Sequence, residues 1–278
     1  MTIPFSKAHA YGNDFLYVRA SAATDRRPDA LAREMCDRHT GAGADGLILF
    51  EAPASGSPSM RLFNADGGRA EVSGNGLRGL AALLLRADMA ESAGITIQTE
   101  AGPKQLTRVE RSGTRHTFRA AMGAPRGLGQ ESVDVAGEAI TVVVMDMGNP
   151  QCVVLGALPD DERFRTLGSA LERHRRFPAG TNVEFARVDA PDLVTIRIWE
   201  RGVGPTLSSG TGSCASLVAA AAYGGAARAA TVAAPGGSQR VEWSGDDVYL
   251  TGWAEILFDG DWLDVIPRGD RQNSPGRG

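Results

Sequence analysis

Short apolar runs rich in β-branched residues and bounded by turn-formers recur along the chain. They include GLILF (46–50), MRLF (60–63), ITIQTE (95–100), ITVVVMDMG (140–148), VTIRIWE (194–200) and DVYLTG (247–252). Their length and bounding turns predict strands. Helical spacing is rarer. NGLRGLAALLLRADMA (75–90) and GSCASLVAAAAYG (212–224) are apolar on nearly all sides, which predicts helices enclosed by other structure. PDALAREMCDRH (28–39) is amphipathic and predicts a helix lying on a surface.

The pattern repeats. MRLFNADGGRAEVSGNGLRGL (60–80) aligns without a gap on IRIWERGVGPTLSSGTGSCAS (196–216), placing Ser73 on Ser209, an offset of 209 − 73 = 136 residues. The same offset carries GNDFLYV (12–18) onto GNPQCVV (148–154), and ADGLILF (44–50) onto GTNVEFA (180–186). One offset serving three blocks implies an internal duplication. The expected fold is α+β: two pseudo-symmetric domains, 1–118 and 119–266, each a β-rich half-barrel wrapped around a central helix, facing each other across a cleft. The polar, aperiodic stretch 267–278 reads as a disordered tail.

Composition narrows the function classes. The 278 residues carry a net charge of −4, with 42% hydrophobic and 22% charged residues, which gives no reason to expect a nucleic-acid or membrane partner. The N-terminal stretch MTIPFSKAHAYGNDF lacks a basic-then-apolar leader pattern, so the expectation is cytoplasmic. Cys36, Cys152 and Cys214 are odd in number and widely spaced, predicting reduced thiols rather than a disulfide framework or a zinc site. No P-loop, dinucleotide fingerprint or metal triad is visible, so neither cofactor nor metal is expected.

A pseudo-two-fold axis brings matching turns together. SGNG (73–76) and SGTG (209–212) each open one of the expected buried helices, whose N-termini present unpaired N–H groups and partial positive charge to an anion such as a ligand carboxylate. Ser73 and Ser209 then flank the ligand from opposite sides, the arrangement a two-base racemase or epimerase uses at a single carbon. Serine at such a position is also a common N-cap. Beside a glycine, Asn13 and Asn149 suit turns as well as ligand contact, and their repetition at the offset favours the site. His9 and His39 read as structural hydrogen-bonding residues, Asp45 and Asp66 as turn residues, and Cys214 as pointing away from the site.

Together FSKAHAYGNDF, CDRHTGAGADG, MRLFNADG, GNGLR, MGNPQCVV, TNVEF, WERGVGPT and GTGS resemble the diaminopimelate epimerases, cofactor-independent amino-acid racemases, from about residue 5 to about 262. The resemblance implies a two-ended, zwitterionic amino acid as ligand. It matches Asn13, Asn64, Asn149, Asn182, Glu200 and Arg201 to the positions that hold the far amino-carboxylate end, and Gly74, Asn75, Gly210 and Thr211 to the cradle at the reacting end. Closed symmetric pairs are the commonest soluble oligomers, so a homodimer is a fair expectation.

Three departures stand out. The family carries cysteine before each glycine turn as the acid–base pair; here both are serine. The histidine that assists the first thiol is replaced by Gln151. A thiol has a reference pKa of about 8.5 and is readily lowered at a helix N-terminus, whereas a serine hydroxyl needs a neighbouring base. The resemblance makes Glu200 the partner of Ser209, but Gln151 cannot serve Ser73, so the expected chemistry is an altered or impaired epimerisation resting on Ser73, Ser209 and Glu200. Alternatives are a catalytically silent amino-acid-binding homologue and an engineered Cys-to-Ser variant; engineering would ordinarily leave the histidine in place. A serine hydrolase is disfavoured because neither serine has a nucleophile-elbow context. Gly46, where some relatives carry glutamine, leaves the ligand's length open.

Overall fold

The computed structural model describes residues 2–70, 72–86 and 94–263. The first half contains β1 (Thr2–Ala10), β2 (Asn13–Arg19), α1 (Pro28–Cys36), β3 (Gly46–Glu51), β4 (Ser59–Asn64), β5 (Arg69–Ala70), α2 (Gly74–Leu84), β6 (Gly94–Thr99), β7 (Gly102–Ser112) and β8 (Arg115–Gly123). The second contains β9 (Arg126–Val135), β10 (Glu138–Asp146), β11 (Pro150–Leu155), α3 (Asp161–Glu172), β12 (Asn182–Ala190), β13 (Leu193–Glu200), β14 (Gly204–Thr206), α4 (Gly210–Tyr223), β15 (Ala229–Ala234), β16 (Gly237–Ser244) and β17 (Asp247–Leu263). The fold is α+β, mostly strand, and its halves are duplicates.

The duplication is visible in the pairing. In each half the first two strands are antiparallel, the second and third parallel, and the third and fourth antiparallel: β1–β2–β3–β4 and β10–β11–β12–β13. Adding 136 to the bounds of β1 gives those of β10, and adding it to the last residues of β4, Asn64, gives Glu200, the last of β13. The halves are stitched by β17, which pairs with β16, then β8, then β1, and all the strands form one continuous sheet among the described residues.

Both buried helices form as their patterns require. Every residue of α2 from Gly74 to Leu83 and of α4 from Gly210 to Ala220 is buried, enclosed by strands of its own half. Close approach needs small residues: a β-carbon on Gly79 would lie 2.0 Å from the Tyr17 hydroxyl, which donates to Gly76 O at 2.9 Å and so ties β2 to the first turn of α2. The β1–β2 hairpin turns through Tyr11 and Gly12, both at positive φ (56° and 85°), the backbone of a two-residue primed turn, and this places Asn13 at the start of β2.

Two helix expectations need adjustment. The helix expected over 75–90 ends at Leu84, with Leu85 as its C-cap and Arg86 turned out to Asp259 at 2.9 Å; residues 87–90 lie outside the described residues. Helix α3 was not anticipated, although Phe164, Leu167, Gly168 and Leu171 fall at helical spacing on its buried face and Asp160 caps it through Arg163 N. The tail expected at 267–278 is likewise outside the described residues. All three cysteines are free and buried, and no helix among the described residues is long and apolar enough to cross a membrane.

Candidate active site

Ser73 and Ser209 have nearly the same backbone, φ/ψ −126°/123° and −137°/128°, and each caps its helix. Ser73 Oγ accepts from Gly76 N and Ser209 Oγ from Gly212 N, both at 3.1 Å. Such a cap consumes the third N–H of the turn and leaves the first two without helical partners. Glycine in third place is required by packing: a β-carbon on Gly76 would lie 2.7 Å from Ile48, and one on Gly212 would lie 2.5 Å from Glu184 Oε1. The helices meet end to end. A β-carbon on Gly74 would stand 3.3 Å from Gly210 Cα, so the two positive dipole ends converge on one place.

That place is the mouth of a cavity of about 380 Å³. Ser73, Gly74, Asn75, Ser209, Gly210 and Thr211 line it, together with Asn13, Asn64, Asn149, Asn182, Glu200 and Arg201, so every site residue expected from the sequence reaches one cleft between the halves. Its two sides mirror each other. Asn75 Nδ2 donates to Asn13 Oδ1 at 3.1 Å, and at equivalent positions Asn149 Nδ2 donates to Thr211 Oγ1 at 3.4 Å.

The asparagines differ in what remains free. Asn182 bonds through both ends of its amide and keeps one N–H towards the cavity: its nitrogen donates to Pro150 O at 3.0 Å and its oxygen accepts from Arg201 N at 3.0 Å, so it also sets the backbone from which Arg201 enters the cleft. Asn13 donates to Asp45 Oδ2 at 2.8 Å, and Asp45 is held by Arg38 at 2.8 Å. Asp45 is therefore more than a turn residue, since it lines the cavity. Asp66 keeps its turn role, accepting from Gly68 N.

Titration separates the two serines. Glu200 is half-buried, and Ser209 donates to it; burial raises its carboxyl to about 7, the Ser209 hydrogen bond opposes that rise, and the Asp45 charge adds to it. A group poised there is ionised or neutral with equal ease near neutrality, which suits a general base or acid. Gln151 is buried beside Asn149 and Thr211, behind the cavity wall rather than on it. Cys214 is fully buried in the core and lines no part of the cavity, as expected, and burial pushes its thiol up to about 12.

Sequence reasoning missed three contributors. Arg78 is fully buried in α2, where it holds Asn75 Oδ1 and donates to Gln239 Oε1 at 2.9 Å. Phe15 lines the cavity and packs where a β-carbon on Gly46 would sit, 3.2 Å from its ring. Glu184 is fully buried at the centre of β12. The signal for Arg78 and Glu184 was present: a charged residue in an otherwise apolar buried segment calls for a partner. No group of three or more His, Cys, Asp or Glu side chains among the described residues is placed to hold a metal ion.

Comparison with known proteins gives a consistent picture. A family profile described as diaminopimelate epimerase matches residues 5–127 and 143–257. The diaminopimelate epimerase of Desulforudis audaxviator is 42% identical over 93% of this chain and 99% of its own length. That of Pelotomaculum thermopropionicum is 38% identical over 93% and 98%. Among solved structures, a probable proline racemase from Agrobacterium radiobacter superposes with a TM-score of 0.72 at 17% identity, covering 96% of this chain and 94% of the other. A hydroxyproline epimerase from Agrobacterium vitis superposes with a TM-score of 0.68 at 16% identity, covering 94% and 91%. At those identities the structural likeness speaks for the fold.

Proposed function

The chain belongs to the diaminopimelate epimerase family, a family of isomerases, and from that premise we propose that it acts at the α-carbon of diaminopimelate or a related two-ended amino acid, with proton transfer confined to the Ser209 side. The observation that carries the reading lies beside two equivalent caps: Ser209 hydrogen-bonds to Glu200, a carboxyl raised to about 7, whereas the equivalent position on the Ser73 side is Asn64, whose amide takes no proton.

The steps balance. The α-carboxylate sits between the N–H groups of Gly74, Asn75, Gly210 and Thr211, which stabilise the negative charge that grows on it as the α-proton leaves. The C–H bond breaks towards Ser209 Oγ as the Ser209 proton passes to the ionised Glu200. The reverse transfer returns a proton to the same face. Configuration is retained and the α-hydrogen exchanges with solvent, because no base waits on the Ser73 face to complete an inversion. Asn13, Asn64, Asn149, Asn182 and Arg201 hold the distal end, Arg201 facing the far carboxylate in the forked geometry that guanidinium favours.

A second reading, an amino-acid-binding homologue without turnover, is favoured by one observation: both serine hydroxyls serve as helix caps. We also propose the division into domains 1–118 and 119–266. The sequence offset supports it, and β8 spans the junction, so the halves join through a continuous strand.

The test is the triple variant Ser73→Cys, Ser209→Cys, Gln151→His. It is expected to interconvert diaminopimelate stereoisomers where the parent does not. Tight binding of diaminopimelate with no interconversion would overturn the substrate assignment.

A further inference from the structure

Glu184 lies at 0% exposure on β12, and its neighbours are unusual for a carboxylate. On β13, Ile198 pairs with Glu184, which makes Glu200 its diagonal neighbour on the same face of the sheet. On β11, Val153 pairs with Glu184 and Gln151 sits two residues away, again on the same face. The first turn of α4 above them carries no acidic side chain, and none of its last turn is basic. The charge acting on Glu184 is thus that of another carboxylate, Glu200, and burial with that repulsion drives it towards the neutral acid. The Cys152 thiol, also buried nearby, is pushed up and stays neutral.

The hydrogen bonding agrees. Gln151 Nε2 lies 2.6 Å from Asn149 Oδ1 and donates to it, which leaves the Gln151 carbonyl oxygen facing Glu184 at 3.0 Å from Oε1 and 3.2 Å from Oε2. Two acceptors cannot face each other unless one carries a proton. An ionised Glu184 would require the Gln151 and Asn149 amides to turn together, Gln151 N–H donating to Glu184 and the Thr211 hydroxyl donating to Asn149 Oδ1. The charge on Glu184 therefore selects the orientation, and its burial beside Glu200, with no neighbouring cation among the described residues, opposes that charge. A neutral Glu184 satisfies every group in one series: Glu184 O–H to Gln151 Oε1, Gln151 N–H to Asn149 Oδ1, Asn149 N–H to Thr211 Oγ1.

We propose that Glu184 is a positioning residue, held as a carboxylic acid that donates to Gln151 and, through it, orients Asn149 and Thr211 towards the ligand. An uncharged glutamine at 151 cannot itself move a proton, but it can transmit orientation, and it needs a donor behind it to do so. The inference rests on the proposed function in one respect, that the ligand occupies the cavity bordered by Asn149 and Thr211.

Difference infrared spectroscopy tests the protonation state without any ligand. Well above the Glu200 transition, the wild-type protein is expected to show a carboxylic-acid C=O band that persists in Glu200→Gln and disappears in Glu184→Gln. Absence of the band, or its survival in Glu184→Gln, overturns the proposal. Calorimetry with diaminopimelate tests positioning. Glu184→Met, similar in volume but without a donor, is expected to lose about tenfold in affinity, and Glu184→Gln, whose amide can donate to Gln151, to regain most of it. Equal affinities for Met and Gln overturn the positioning role. If diaminopimelate fails to bind even the wild-type protein while the infrared band behaves as expected, the proposed function falls and the protonation assignment stands.

Discussion

Gly74 and Gly210 meet across the pseudo-two-fold, each placed so that a β-carbon would stand 3.3 or 3.2 Å from the other's Cα. That contact is the point where two helix dipoles are forced into one cleft. Residue size there controls how closely the two N-termini approach, and so how well a single carboxylate is shared between them.

Alanine at either glycine is therefore expected to wedge the helices apart. Overpacking of this kind costs about 1–3 kcal/mol. Gly74→Ala and Gly210→Ala should each weaken amino-acid binding by about tenfold or more, with a fall in Tm of several degrees. Calorimetric titration reads the first and thermal melts the second; unchanged affinity in both variants would contradict the shared cradle.

The proposed transfer through Glu200 makes exchange depend on pH. With its carboxyl raised to about 7, the ionised, proton-accepting form grows in as pH rises through neutrality. The rate of α-hydrogen exchange should rise across that interval and then level off. In Glu200→Gln the rate should drop at least 100-fold, and the residual rate should lose the inflection.

The same group leaves a mark on stability. A carboxyl whose folded-state value lies above its unfolded one binds more protons when folded, so stability falls as pH rises between the unfolded and folded values, from about 4.5 to about 7. Denaturant melts across this window should show wild-type stability declining more steeply than that of Glu200→Gln, which titrates nothing there. Parallel slopes would contradict the assignment.

Gly79 and Tyr17 should couple. A β-carbon at 79 would lie 2.0 Å from the Tyr17 hydroxyl, so Gly79→Ala must push Tyr17 away and break its bond to Gly76 O. We expect a loss of about 1–3 kcal/mol. Because Tyr17→Phe removes the clashing atom, the double variant should be more stable than the sum of the single effects predicts. A strictly additive cycle would place the strain elsewhere.

The repeat was the most legible feature of the sequence, because a duplicated site must keep its glycines in register: SGNG and SGTG need glycine third for packing against Ile48 and Glu184. From that register followed the cleft, its two serine–glycine turns and the paired Asn13 and Asn149; the other expected residues rested on the family resemblance. The enclosed helices were legible as well, since α2 and α4 have almost no polar face to offer water. Helix α3 was overlooked because its charged positions masked a regular apolar stripe. Arg78 and Glu184 were overlooked for a deeper reason. A buried charge draws its meaning from partners far along the chain, Gln239 for one and Gln151 for the other, and neither partner is marked by local spacing. The roles of Asn182 and Asp45 turned on hydrogen bonds that only the folded chain reveals.

The most direct measurement follows a single stereoisomer of diaminopimelate incubated with the protein in heavy water, with deuterium content and stereochemistry determined together. One-sided transfer through Ser209 and Glu200 predicts deuterium entering at one α-carbon with its configuration kept. Deuterium accompanied by full inversion, or binding with no deuterium at all, would contradict it.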